Sequence, residues 1–166
     1  MLLLRTPASA ASGAEEWTAQ AELRAEPDEV LRALTDPDMI AGWAPVSFDV
    51  EGLTEDRLET GTRARVSGSI AGLGATFDVE VMRADTRTLQ LIADGPVSFE
   101  VTYRFRRRGC GVLVEARVAV RRKRGLTAQL LRSATVAVLN AGALRTALRR
   151  LEQCVTSAFE PELVAA

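Results

Sequence analysis

Few side chains in this chain can do chemistry. Tyr103 is its single tyrosine and a neutral hydroxyl donor, and there is no histidine among the 166 residues. Without imidazole, a Ser-His-Asp triad, a Cys-His pair, a histidine metal site and a histidine general base are all excluded. The two cysteines, Cys110 and Cys154, do not sit at metal-ligand spacing and read as free thiols. The stretch GLGATF, residues 72–77, lacks the following helix that a phosphate-binding loop requires. No cofactor and no metal are therefore expected. What remains is apolar binding, with Tyr103 either a hydrogen-bond donor to a ligand carbonyl or a core tyrosine bonded to the backbone.

One charged cluster stands out, Arg121, Arg122, Lys123 and Arg124. It lacks the interleaved aromatics that stack bases, so nucleic acid is not an expected partner. Two readings stay open: a peripheral contact with an anionic surface, or one side of an acid–base pairing within the protein. Charge distribution favours the second. Residues 1–60 hold 13 acidic and 4 basic side chains, and residues 101–166 hold 4 acidic and 13 basic, within a net charge of −1.

These residues need elements to position them. From Trp17 to Arg24 apolar and polar residues alternate, the period of a half-buried strand. Pro27 begins a short helix with Asp28 and Glu29 in its first turn, and Asp36-Pro37 ends it and starts another that runs to Trp43. Strands with Val46, Phe48 and Val50, then Ala64 and Val66, then Phe77, Val79 and Val81 follow, the last two joined by a glycine turn at 71–75. A short strand over 88–93 contains Leu91. Two longer ones place Phe99, Val101 and Tyr103, then Val114, Ala116 and Val118, on one face. Asp49 and Glu51 fall on the outer face.

After Gly125 the spacing predicts one long helix over 126–158. Its inner stripe is Leu130, Ala134, Ala137, Ala141, Leu144, Leu148 and Val155. Val136 and Leu139 fall on the opposite face of this Ala-rich helix, which leaves a self-association surface, and hence a homodimer, open beside simple tolerance of small residues.

A composition of 47% apolar and 26% charged residues is ordinary for one globular domain. We place that domain at 15–160, after an N-terminal tail over 1–14. The three leucines near the start are shorter than a signal-peptide core, and Arg132 and Arg145 interrupt the best apolar stretch, so a cytoplasmic protein is expected.

The order strand, two short helices, six strands and a long helix makes an α+β domain. It resembles the START-like or SRPBCC superfamily of polyketide cyclases, lipid-transfer proteins and plant pathogenesis-related allergens. AEPDEVLRALTDPDMIAGWAP, residues 25–45, is similar to the family's helix and Asp-Pro…Trp-x-Pro turn. LETGTRARV, residues 58–66, resembles its glycine-initiated third strand, and RRRGCGVLVEARV, residues 106–118, its hairpin before the last strand. The chain departs from that pattern at Cys110 and Val112, where Gly-Gly-Thr is usual, and at Leu31, where many relatives have tryptophan. SGSIAGLGATFDVEV, residues 67–81, is also similar to a hairpin of the G-type proteins associated with carbon monoxide dehydrogenase.

The resemblance implies a helix-grip fold: a curved antiparallel sheet of about seven strands wrapped around a long C-terminal helix. It also implies a cavity between them for a hydrophobic small molecule of polyketide, lipid or isoprenoid type. The residues expected to line it are Trp43, Phe48, Val66, Phe77 and Leu91 with Phe99 and Tyr103 on the sheet side. Ala134, Val138 and Ala141 are expected on the helix. A binding or carrier protein, a cyclase or aromatase acting on a bound chain, and an interaction module are the functions left open, and whether the protein is an enzyme is not decided by its sequence.

Overall fold

Alternation, proline and aspartate account for the first third of the chain. The computed structural model describes residues 14–121 and 123–159. The expected tail, apart from Ala14, and Arg122 of the basic cluster lie outside the described residues. Strand β1 (Ala14–Leu23) turns Trp17, Ala19 and Leu23 inward. Helix α1 (Pro27–Thr35) opens with proline in its first turn, and the Glu26 N–H donates to the Glu29 carboxylate at 2.8 Å. Asp36 ends α1 and caps α2 (Pro37–Trp43), its side chain accepting from the Asp38 and Met39 N–H groups at 3.0 and 3.4 Å. Trp43 then turns back into the angle between the helices, and its indole N–H donates to the Ala33 carbonyl at 2.8 Å.

The remaining strands are β2 (Phe48–Glu51), β3 (Arg63–Ile70), β4 (Leu73–Ala84), β5 (Thr88–Asp94), β6 (Ser98–Arg108) and β7 (Gly111–Arg121). All neighbours pair antiparallel in one sheet of order β1-β7-β6-β5-β4-β3-β2. The β3–β4 hairpin turns through Ala71 and Gly72, at φ of 50° and 82°, as a two-residue connection of this twist requires. One face of the sheet is apolar and covered by helices, and the other is wet. The acid–base pairing read from the sequence lies largely on the wet face, where Arg117 meets Glu16 at 2.5 Å and Arg108 meets Glu22 at 3.2 Å. Exposed pairs of this kind add little stability.

The C-terminal segment corrects the expectation of one helix. The chain forms α3 (Leu126–Asn140) and α4 (Ala143–Phe159), separated at Ala141 and Gly142. Gly142 has φ 92°, a left-handed conformation that ends α3, and its N–H donates to the Leu139 carbonyl at 3.0 Å. Helix α4 packs on β1, α1 and α2, burying Leu144, Ala147, Leu148, Leu151 and Val155. Helix α3 packs against α4 and β3 and buries Ala128, Leu131 and Thr135.

The predicted inner stripe is therefore right on α4 and wrong on α3. Leu130 is 65% exposed, Ala137 and Ala141 are exposed, and Ala134 is half-buried. Leu139, expected on the outer face, packs against the core. Steps of three and four counted back from Leu148 run through 144, 141, 137, 134 and 130. The two non-helical residues rotate α3 out of that phase.

The break sets the sign of a mutation. In a continuous helix Gly142→Ala would stabilise the protein by about 1 kcal/mol. At a left-handed position the same change is destabilising by about 1 kcal/mol. We expect the second result from urea denaturation, and a rise in the midpoint would restore the single helix.

Candidate functional site in the concave face

Strand parity brings the inward side chains into rows that cross the sheet. One row pairs Val120 with Phe99, Phe99 with Ala93 and Ala93 with Val79. The next pairs Trp17 with Val118, Val118 with Val101, Val101 with Leu91 and Leu91 with Val81. A third sets Ala19 against Ala116, Ala116 against Tyr103 and Tyr103 against Leu89. At the β3 side Val66 faces Phe77, whose ring meets that of Phe99 at 5.3 Å, tilted by 53°. Val120, Ala116 and Leu89 are buried, but Leu91, Phe99, Val101, Val79 and Val66 are only half-buried. The helices cover the β1–β7 side more fully than the middle of the sheet, which leaves a trough with an apolar floor.

Tyr103 sits in this surface as parity requires, with Arg104 exposed on the other face. The tyrosine is 8% exposed, and burial pushes its phenol up to about 12. Its hydroxyl has no hydrogen-bond partner among the described residues. Of the two roles open to it, the structure supplies no backbone acceptor for the core role.

The other expected residues divide. Phe77 is buried beside Phe99, while Val66 and Leu91 are half-buried in the trough. Trp43 is buried in the angle of α1 and α2, where it bonds to Ala33. Phe48, half-buried, lines a separate cleft of about 270 Å³ with Ala44, Val46 and Arg150. Val138 and Ala134 are half-buried on α3, and Ala141 is exposed at the end of that helix.

Sequence reasoning missed two charged residues. Glu15, opposite Val120, shares the inward parity of Trp17 and forms an ion pair with Arg132 of α3. Parity would have found Glu15. Arg132 lay hidden behind the wrong helical phase. The Trp17 indole N–H donates to the Asn140 side-chain oxygen at 2.9 Å, a second link between β1 and α3.

The basic cluster is largely engaged. Arg121 pairs with Glu100 at 3.4 Å. Lys123 meets Asp94 at 2.5 Å and the Gly95 carbonyl at 2.7 Å. Hydrogen bonds from Lys123 and then Ser98 hold the Asp94 carboxyl below its ordinary range. A larger surface cleft, about 610 Å³, lies elsewhere, between Pro27 and Asp28 of α1, residues 86–88, and Arg104, Arg106 and Arg107 of β6. Cys110 is exposed; the Cys154 thiol lies 3.9 Å from the Met39 carbonyl, and burial with the nearby Asp36 charge raises its pKa.

A curved antiparallel sheet gripping C-terminal helices, with two short helices between its first strands, defines the helix-grip class. The chain belongs to the polyketide cyclase/dehydrase and lipid transport family, whose model matches residues 15–156. No curated protein matches the sequence. Among solved structures, the chain is similar to TTHA0849 of Thermus thermophilus at 20% identity and a TM-score of 0.65, over 87% of this chain and 99% of that one. Protein CV1439 of Chromobacterium violaceum is similar at 17% identity and a TM-score of 0.62, over 84% and 96%. DynU16, a protein in the dynemicin biosynthetic locus, is similar at 21% identity and a TM-score of 0.59, over 86% of this chain but 48% of its own length. At these identities the likeness establishes the fold. Among the described residues no helix is long and apolar enough to cross a membrane.

With one tyrosine in the chain, absorbance titration reads Tyr103 alone. Ionisation should begin well above the ordinary value of 10.0 and centre near 12. The sign follows from linkage: both states are protonated below about pH 10, so stability is unaffected there. Above it the unfolded phenol ionises first, and stability falls by about 1.4 kcal/mol per pH unit until the folded phenol follows. Tyr103→Phe should remove that loss while changing neutral-pH stability by less than about 0.5 kcal/mol, because no hydrogen bond is broken. An ordinary phenol titration would contradict the burial.

Proposed function

We propose that this protein binds an apolar small molecule of polyketide, lipid or isoprenoid type in the concave trough and acts as its carrier. The observation that supports this most directly is the run of Leu91, Phe99 and Val101, neighbours across β5 and β6 that stay half-buried on the covered face of the sheet. Apolar groups left partly open in a concavity favour a ligand over water. Family membership agrees with a hydrophobic ligand. The likeness to DynU16 adds support for a biosynthetic setting.

Affinity follows from area. On the order of 300 Å² of buried ligand surface, at about 25 cal/mol per Å², gives about 7.5 kcal/mol, hence micromolar binding at best. Polar contacts then decide orientation. Tyr103 is suited to this, since its hydroxyl stays a neutral donor at physiological pH and has no competing acceptor among the described residues. The same property favours a second reading, a cyclase or aromatase. There a hydroxyl donor holds the developing enolate oxygen of a folded chain whose own reactivity carries the ring closure.

The test uses N-phenyl-1-naphthylamine, a neutral apolar fluorophore. Leu91→Glu should weaken its binding at least tenfold, because a carboxylate in the trough floor must be desolvated with the probe. Ile92→Glu, one residue on and facing outward from the other side of the sheet, should leave binding unchanged. Equal binding by both variants would place the probe outside the trough, and no binding by the folded parent would overturn the carrier reading.

A further inference from the structure

The trough contains a charged feature that an apolar ligand alone does not explain. Glu15 stands opposite Val120, in line with Phe99, so its carboxylate rises from the apolar face at the β1 edge. Arg132 reaches it from α3 through Nη2. The guanidinium side chain is 21% exposed, and its Nε is shielded from solvent without any hydrogen-bond partner. It is the only buried side-chain nitrogen or oxygen in that condition among the described residues.

Arginine donors form a rigid fork, and the Nε and Nη2 hydrogens lie along the same edge of the guanidinium. A carboxylate bound bidentate takes both. Glu15 engages Nη2 only, so half of that edge is buried and empty. Glu15 is also replaceable. Its side chain is 41% exposed and belongs to the start of an edge strand, so it can return to water when another anion arrives.

We propose that the ligand of the trough is an amphiphile with a carboxylate head, which takes the Nε/Nη2 edge of Arg132 and releases Glu15. Its apolar body lies along Phe99, Leu91 and Val66. This deepens the carrier reading and rests on it. A fatty acid and an acidic polyketide share the required chemistry. The charge pairing sets which end of the ligand lies at β1, and the apolar floor tolerates variation in the rest.

The test compares cis-parinaric acid with its methyl ester, titrated into the full chain by fluorescence. The parent should bind the acid at least tenfold more tightly than the ester. Arg132→Gln should erase the difference by weakening the acid alone, and Arg132→Lys, which keeps charge without the fork, should recover only part of it. Glu15→Gln, which removes the competing carboxylate, should tighten the acid and leave the ester unchanged. Equal binding of acid and ester by the parent overturns the head-group assignment and leaves the apolar trough standing; this comparison needs no variant to fold. Binding of neither ligand by the folded parent overturns both.

Discussion

The concave face depends on the register that sets β6 between β5 and β7. Tyr103 lies opposite both Leu89 and Ala116, and Phe99 opposite both Ala93 and Val120. A slip of one residue would exchange Tyr103 for Arg104 and send the inward row to water. Close backbone approach holds the neighbourhood in place. A Cβ at Gly111 would overlap the Leu23 carbonyl oxygen, so the start of β7 can lie against the end of β1 only as glycine. Gly95 plays the same part at the other end, where a Cβ would meet the Thr76 carbonyl at 2.6 Å and the Phe77 ring at 2.7 Å. That contact sets Phe77 against Phe99 and closes one end of the trough.

Strands with one wet face are legible because parity records the burial of every residue. That is why Phe99, Leu91, Val66 and Tyr103 can be placed from sequence, and why the family resemblance over 25–45 matches the observed pair of short helices. The C-terminal helices carry no such record. Between 134 and 144 the chain is apolar nearly all round, so any phase fits, and the phase of α4 extends backward without contradiction. Gly142 is visible in the sequence, but a lone glycine inside a helical run is tolerated as often as it breaks the helix. Only packing decides. Once Leu144 and Leu148 settle on α4, the left-handed Gly142 lets α3 present Leu131 and Thr135 instead of Leu130 and Ala134.

Charge follows a related division. On the convex face the pairs Arg117–Glu16, Arg65–Asp78 and Arg63–Glu80 join adjacent strands and stay hydrated, so they suit solubility and register more than stability. They also consume much of the contrast between the acidic first third of the chain and its basic last third. Arg104 and Arg106 have no ion-pair partner among the described residues, and they stand at the rim of the large surface cleft. Their side chains are exposed, where water already satisfies them.

Arg132 differs from these arginines by its surroundings. A guanidinium donor that neither water nor protein reaches is costly, whereas the same group at the convex surface is not. Its pairing with Glu15 marks one end of the trough, level with Phe99. Tyr103 lies four residues along β6 from that level, about 13 Å away along the strand at about 3.3 Å per residue. Between these two polar points the floor is Val101 and Leu91. A compact ligand can satisfy one point or the other, and only an extended one can touch both. The carrier and cyclase readings therefore differ in a geometric consequence: a carrier is content with the head group at Arg132. A cyclase must also bring the reacting carbonyl to Tyr103, folding the chain between two fixed ends.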